Sequence, residues 1–205
     1  MKNSILTLLA VGALMSCEKK ETTNVNNDAD STAVSSDTAM NATPTDSTAA
    51  TATTATATSA TLNDQDKKFA DKAAMSGMAE VMLGELASTN GTNASVKTLG
   101  AMMVKDHTKA NDELKSWAST AGYTLPTSVS AEQQKTYDDL KAKKGADFDR
   151  AFADVMVTDH KKAIEEFKKE SSSGGDASLK SFAGKTLPAL EHHLMESEKT
   201  KAAVK

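Results

Sequence analysis

Four histidines occur in the chain, and three stand where a helix would turn them inward. Met103-Val104-Lys105-Asp106-His107 recurs as Met156-Val157-Thr158-Asp159-His160, and a later segment carries Glu191-His192-His193-Leu194. With a helical rotation of about 100° per residue, His107 lies at the centre of the apolar stripe Val96, Gly100, Met103, Ala110, Leu114 and Ala118. His160 is central in the same way among Ala153, Met156, Val157, Ala163, Ile164 and Phe167. His193 joins Leu179, Phe182, Ala183, Ala189 and Leu190, leaving His192 nearer the flank. Glu80 stands in the middle of a fourth stripe, Phe69, Ala73, Leu83 and Ala87.

Imidazole and carboxylate are ligands of first-row transition metals, so these groups aimed at one interior predict a mononuclear site for Zn, Cu or Fe. The expected ligands are Glu80, His107, His160 and His193. Asp106 and Asp159, at the edges of the buried faces, are expected to support the ligands or replace one, as are Met103 and Met156. Four protein ligands close a site, and a closed site binds rather than catalyses. Gly77 and Gly84 flank Glu80 and leave little side chain to fill the space that a ligand could occupy. The same residues have a second reading: buried His and Glu can form a hydrogen-bonded network that fixes helix register and holds no ligand. No nucleophile and base pairing or phosphate loop is visible, which points away from an enzyme.

The elements that must position these groups are helices. After Leu62 the chain is rich in Lys, Glu, Met and Leu, and apolar residues recur at spacings of three and four. The first helix is predicted from the Asn63 cap to about Ser88, the second from after Asn93 to about Ala121, with a break at Gly122 and Pro126. Ser130 and Gln133 form a capping-box pattern that opens a short helix to about Lys143. Gly145 separates it from a long helix over about Ala146 to Ser171, and Asp176 caps the last helix, which runs to near the C-terminus. The connectors Ser88 to Leu99 and Ser171 to Phe182 resemble each other, and loops this short make antiparallel neighbours. The expectation is an all-α domain over 63–205: an antiparallel four-helix bundle of two hairpins with a short extra helix. Reflecting each hairpin about its loop puts Glu80 opposite about Met103 and His160 opposite about Pro188, within about one 5 Å turn of the inward histidines. Pro188 should kink its helix and free a carbonyl one turn before His193.

Ahead of this domain the chain changes character. Met1-Lys2-Asn3 and the apolar run Ile5 to Met15 have the length of a signal peptide and are too short to span a bilayer. Leu14-Met15-Ser16-Cys17 resembles the lipobox of bacterial lipoproteins, which implies cleavage after residue 16 and acylation of Cys17, with palmitate among the chains attached. Cys17 is the only cysteine, so the domain contains no internal disulfide and must rest on packing. Glu18 follows it, which resembles lipoproteins that reach the outer membrane. Residues 17–62 are almost entirely Thr, Ala, Ser, Asn and Asp and cannot bury a core. As a flexible tether they would span about 35–40 Å. Ser31, Thr38 and Ser47 lie in Asp-Ser/Thr tripeptides that resemble a bacterial O-glycosylation sequon, a hypothesis that an unmodified intact mass of the native protein would rule out. The expected location is the cell envelope and the expected membrane contact is the N-terminal lipid. A formal charge of -4 without a basic patch argues against nucleic acid as the main partner, and no protein partner is indicated.

Ala79-Glu80-Val81-Met82-Leu83-Gly84, the two Met-Val-x-Asp-His segments and Thr186-Leu187-Pro188-Ala189-Leu190-Glu191-His192-His193-Leu194 together resemble the bacterial family called domain of unknown function 4142, over about Asp64 to Lys199. The resemblance implies an exported protein with a ferritin-like four-helix bundle. Its pattern falls on Glu80, Asp106, His107, Asp159, His160 and His193. Ferritin-like di-iron sites use a Glu on each of two helices and Glu-x-x-His on the other two. Here Val104 stands three before His107 and Leu190 three before His193, so di-iron oxidase and iron-storage chemistry are not expected.

Overall fold

Residues 62–205, which the computed structural model describes, form five helices: α1 (Asp64–Asn90), α2 (Ala94–Ala121), α3 (Ala131–Lys141), α4 (Gly145–Ser173) and α5 (Ala177–Ala203). Cys17, Ser31, Thr38, Ser47, the signal peptide and all but the last residue of the tether lie outside the described residues. Among the described residues, no helix is long and apolar enough to cross a membrane.

The caps explain where the helices begin. Asn63, Asn93, Ser130 and Asp176 each turn a side-chain oxygen onto a backbone N–H of the first turn that has no partner within the helix. Asn63 with Asp66 and Ser130 with Gln133 complete reciprocal capping boxes. The first and fourth helices run two residues past their expected ends, to Asn90 and Ser173, and Gly145 is the first residue of α4 rather than a separator. Gly145 and Gly122 have φ of 60° and 64°, the left-handed conformation in which a Cβ is strained.

α1 packs along α2 and α4 along α5, as two hairpins; α2 then faces α5, and α1 faces α4. Contacts at the ends give the directions. Gln65, at the start of α1, donates to Glu170 near the end of α4 (3.2 Å), and Asn90, at the end of α1, donates to the Lys143 carbonyl just before α4 (3.0 Å). Trp117, late in α2, donates to the Asp176 cap of α5 (3.0 Å). Neighbouring long helices are therefore antiparallel, and the link carrying α3 must return along the bundle, packing on α1 and α4. One long crossover between two hairpins is also how ferritin-like bundles are connected. Each hairpin loop is clamped by a buried aspartate from the other hairpin. Asp149 accepts from Thr92 N (3.0 Å) and Asn93 N (2.9 Å), and Asp66 accepts from Gly175 N (2.7 Å) and Asp176 N (3.1 Å).

The core is divided. Toward one end, Leu83, Val96, Leu99, Met103, Phe148, Phe152 and Met156 form one apolar cluster; toward the other, Phe69, Leu114, Phe167, Leu179, Phe182 and Leu190 form a second. In every long helix the residue between these clusters is one of Glu80, His107, His160 and His193. α5 continues through Pro188 to Ala203. The carbonyl this proline leaves unbonded belongs to the exposed Gly184, where water can satisfy it, and it lies more than two turns before His193 rather than the one turn expected from sequence.

Of the glycines beside Glu80, Gly77 lines the cavity next to it, whereas Gly84 does not make room for a ligand, contrary to the expectation from sequence. A Cβ on Gly77 would strike the Asn111 side chain, and one on Gly84 would lie 2.5 Å from the Gly100 carbonyl oxygen. Gly84 and Gly100 instead let α1 and α2 approach backbone to backbone. Gly100→Ala would place its Cβ 2.6 Å from the Ala87 Cβ and 2.8 Å from the Gly84 carbonyl oxygen, neither of which can swing aside. It should cost about 1–3 kcal/mol, the range for overpacking a tight contact, read as a lower urea midpoint; an unchanged midpoint would refute the close contact.

Candidate metal centre

One ring nitrogen from each of His107, His160 and His193 lies within 4.8 Å of the other two. The ring centroids are 5.3 Å apart for His107 and His193, 5.3 Å for His160 and His193, and 5.8 Å for His107 and His160. Three helices supply them: α2, α4 and α5.

The partners of the rings set their tautomers. His160 Nδ1–H donates to the Met156 carbonyl at 2.8 Å, since a carbonyl can only accept. His193 Nε2–H donates to the Asp106 carboxylate at 3.0 Å. A neutral ring carries one N–H, so His160 Nε2 and His193 Nδ1 each present a lone pair, and these two atoms face each other at 3.3 Å. Facing lone pairs repel unless a proton or a metal ion lies between them. Burial works against the proton. It pushes His160 down to about 4, with the Met156 carbonyl opposing the shift, and pushes His107 down to about 3, helped by His160 and His193. His193 is also lowered by burial, with Asp106 opposing.

The separation suits a metal. Two nitrogens at 2.0–2.1 Å from one tetrahedral ion stand about 3.3–3.4 Å apart. The third nitrogen would need to move in by roughly 1–1.5 Å to complete such a set. His107 Nε2 is free to do so, being shut from solvent and without a hydrogen-bond partner among the described residues. The outward N–H of His160 on a carbonyl and that of His193 on a carboxylate are the supports that metal-binding imidazoles commonly have.

Glu80 is buried but is not part of the three-histidine cluster. It lines, with His107 and His160, a cavity of about 340 Å³ walled by residues of all five helices that reaches the surface at Lys72, Glu132 and Lys162. Its Oε2 has no partner, and burial, then the nearby Asp159, raises its pKa to about 8. The structure thus brings together three of the four ligands expected from sequence and places the fourth on the wall of the adjoining cavity. The paired aspartates part company: Asp106 holds His193, whereas Asp159 faces the cavity and lies 3.9 Å from Lys162. Met103 and Met156 are packed in the apolar cluster, where Met156 contributes its carbonyl to His160. His192 is exposed.

Sequence reasoning did not find the part α3 takes. Its Gln133 donates to Ser76 Oγ (3.2 Å), and Gln133 and Thr136 close one side of the cavity. Gln133 stands out in the sequence only as the capping-box partner of Ser130, and no spacing rule points to either residue as part of a site.

Comparison with known proteins places this architecture. The sequence pattern described as domain of unknown function (DUF4142) matches residues 51–200, and the chain belongs to that family. A solved structure, the crystal structure of a DUF305 fragment from Deinococcus radiodurans, is similar, with a TM-score of 0.61 and 11% identity over 69% of this chain and 98% of that chain. At that identity the likeness speaks for the fold alone. No curated protein matches.

The buried acid has a consequence for stability. Because the fold favours its neutral form, Glu80 supports folding fully below its ordinary value of 4.5, and that support is lost as pH rises through about 8. The imidazoles act in the opposite sense: depressed below 6.5, they favour the fold above that pH and lose the contribution as pH falls toward about 4. Glu80→Gln removes only the first effect. In chelator, its stability relative to the native chain should rise between about pH 5 and about pH 9, by on the order of 3–5 kcal/mol in urea unfolding. A difference that does not change with pH would contradict the buried, unpaired acid.

Proposed function

We propose that this chain is a cell-envelope lipoprotein whose helical bundle captures one transition-metal ion, Zn, Cu or Fe, through His107, His160 and His193. The observation that carries the reading is the 3.3 Å approach of His160 Nε2 and His193 Nδ1, two lone-pair atoms held face to face by their outer hydrogen bonds. Neutral imidazoles are ready to ligate without first losing a proton. A register-setting network with no ligand would satisfy its own members, but here Glu80 Oε2 and His107 Nε2 are left without partners. The absence of a Glu-x-x-His pair on the helices favours one ion over a di-iron centre.

The envelope half of the reading rests on Leu14-Met15-Ser16-Cys17 at the end of a signal-like apolar run. A lipid on Cys17, followed by a polar tether, would hold the bundle near the outer membrane. Cys17→Ala should move the native chain from the membrane fraction to the soluble one; continued membrane retention would contradict the lipid anchor.

Metal analysis and calorimetry on the full chain test the central half. One ion per chain should bind and raise the melting temperature. Asp106→Asn, which removes the charge behind His193, should weaken binding about 10–100-fold, and His160→Ala should weaken it further. Failure of Zn, Cu and Fe to bind, with unchanged thermal stability, would sink the proposal.

A further inference from the structure

An ion held by three neutral imidazoles brings two positive charges into a largely apolar interior, and the protein must answer them. Asp106 answers one through its hydrogen bond to His193. The remaining carboxylates on the cavity wall are committed elsewhere: Glu166 pairs with Lys72, Asp159 lies against Lys162, and Glu132 is exposed at the mouth. Glu80 is left. It stands outside the histidine cluster, with one buried oxygen that has no hydrogen-bond partner among the described residues.

Three protein ligands are also the number found where a site keeps a position for an exchangeable group, whereas storage and structural sites use four. The position has an approach, since His107 and His160 form part of the wall of a cavity of about 340 Å³ that opens to the surface. That volume admits a molecule of several atoms. Ser76, Asn111 and Gln133 add polar groups along the way, and Leu114, Phe167 and Phe182 supply an apolar floor.

We propose that the bound ion keeps a fourth coordination position open to this cavity, that a small exogenous monoanion occupies it, and that Glu80 hydrogen-bonds the anion rather than ligating the ion. The anion supplies the charge that the three histidines and Asp106 leave unanswered. It also gives the free oxygen of Glu80 a partner. This inference rests on the metal reading above, and it converts a plain capture site into one with a second, small-molecule ligand.

Cobalt(II) replaces such ions and reports its coordination through visible absorption bands, so the full chain loaded with cobalt and titrated with azide decides the matter. Azide should shift the bands with a stoichiometry of one per cobalt while the metal stays bound. Glu80→Leu should weaken the azide response about tenfold, the effect of losing one hydrogen bond to a charged group. Bands that ignore azide would overturn the proposal. So would a Glu80→Leu chain, folded by circular dichroism, that loses cobalt as readily as His160→Ala, because Glu80 would then be the fourth ligand. A native chain that takes up no cobalt fails differently: it contradicts the metal reading itself.

Discussion

The bundle is organised around a polar layer that cuts its apolar core in two. Apolar side chains alone would pack into one continuous interior, yet every long helix interrupts its buried stripe at the same depth, with Glu80, His107, His160 or His193. Burying these groups without partners costs on the order of 1–3 kcal/mol each, so the layer is a standing expense that folding must cover from the two clusters on either side. The protein limits that expense in part. His160 and His193 each anchor one nitrogen outward, on a carbonyl and a carboxylate, and so fix the other nitrogen inward. What remains unmet is the repulsion across the 3.3 Å gap and the free atoms of Glu80 and His107. A metal ion held in the gap would relieve the repulsion and give His107 a partner, and no group among the described residues does either.

The rest of the fold serves to hold that layer level. The two hairpins are built alike, with resembling loops, and each loop is gripped by an aspartate from near the start of the other hairpin's leading helix, Asp66 or Asp149. That reciprocal grip sets the axial position of one hairpin against the other. The Asp-His repeat does not follow this symmetry. In the hairpin correspondence α1 matches α4 and α2 matches α5, whereas His107 and His160 lie on α2 and α4, which sit diagonally across the bundle and scarcely touch. Diagonal placement lets two histidines reach the same axis from opposite sides, with His193 of α5 between them. It also explains why equivalent aspartates differ in duty, since only Asp106 has His193 beside it.

Much of this was legible in the sequence because amphipathic spacing, caps and short loops are local signals. The five helices follow from apolar spacing, the caps at Asn63, Ser130 and Asp176 from residue type, and the inward turn of the four polar groups from helical rotation. Depth and distance within the layer do not. A helical wheel says which way Glu80 points but not that it meets a cavity instead of the imidazoles. Glycine was misread for a related reason. Gly84 looks like vacant space in one helix, yet the missing side chain is filled by the backbone of Gly100 on its neighbour. The cavity itself depends on α3 crossing outside the bundle, a tertiary arrangement without a sequence period.

The most direct test of a metal-holding layer is anomalous diffraction at the zinc edge from crystals grown with zinc. The account predicts one peak in the gap between His160 and His193, at about 2.0–2.1 Å from the Nε2 of the first and the Nδ1 of the second, with a His107 nitrogen drawn in as the third contact. An empty layer in zinc-grown crystals, with the two rings still 3.3 Å apart and a single proton shared between them, would contradict it.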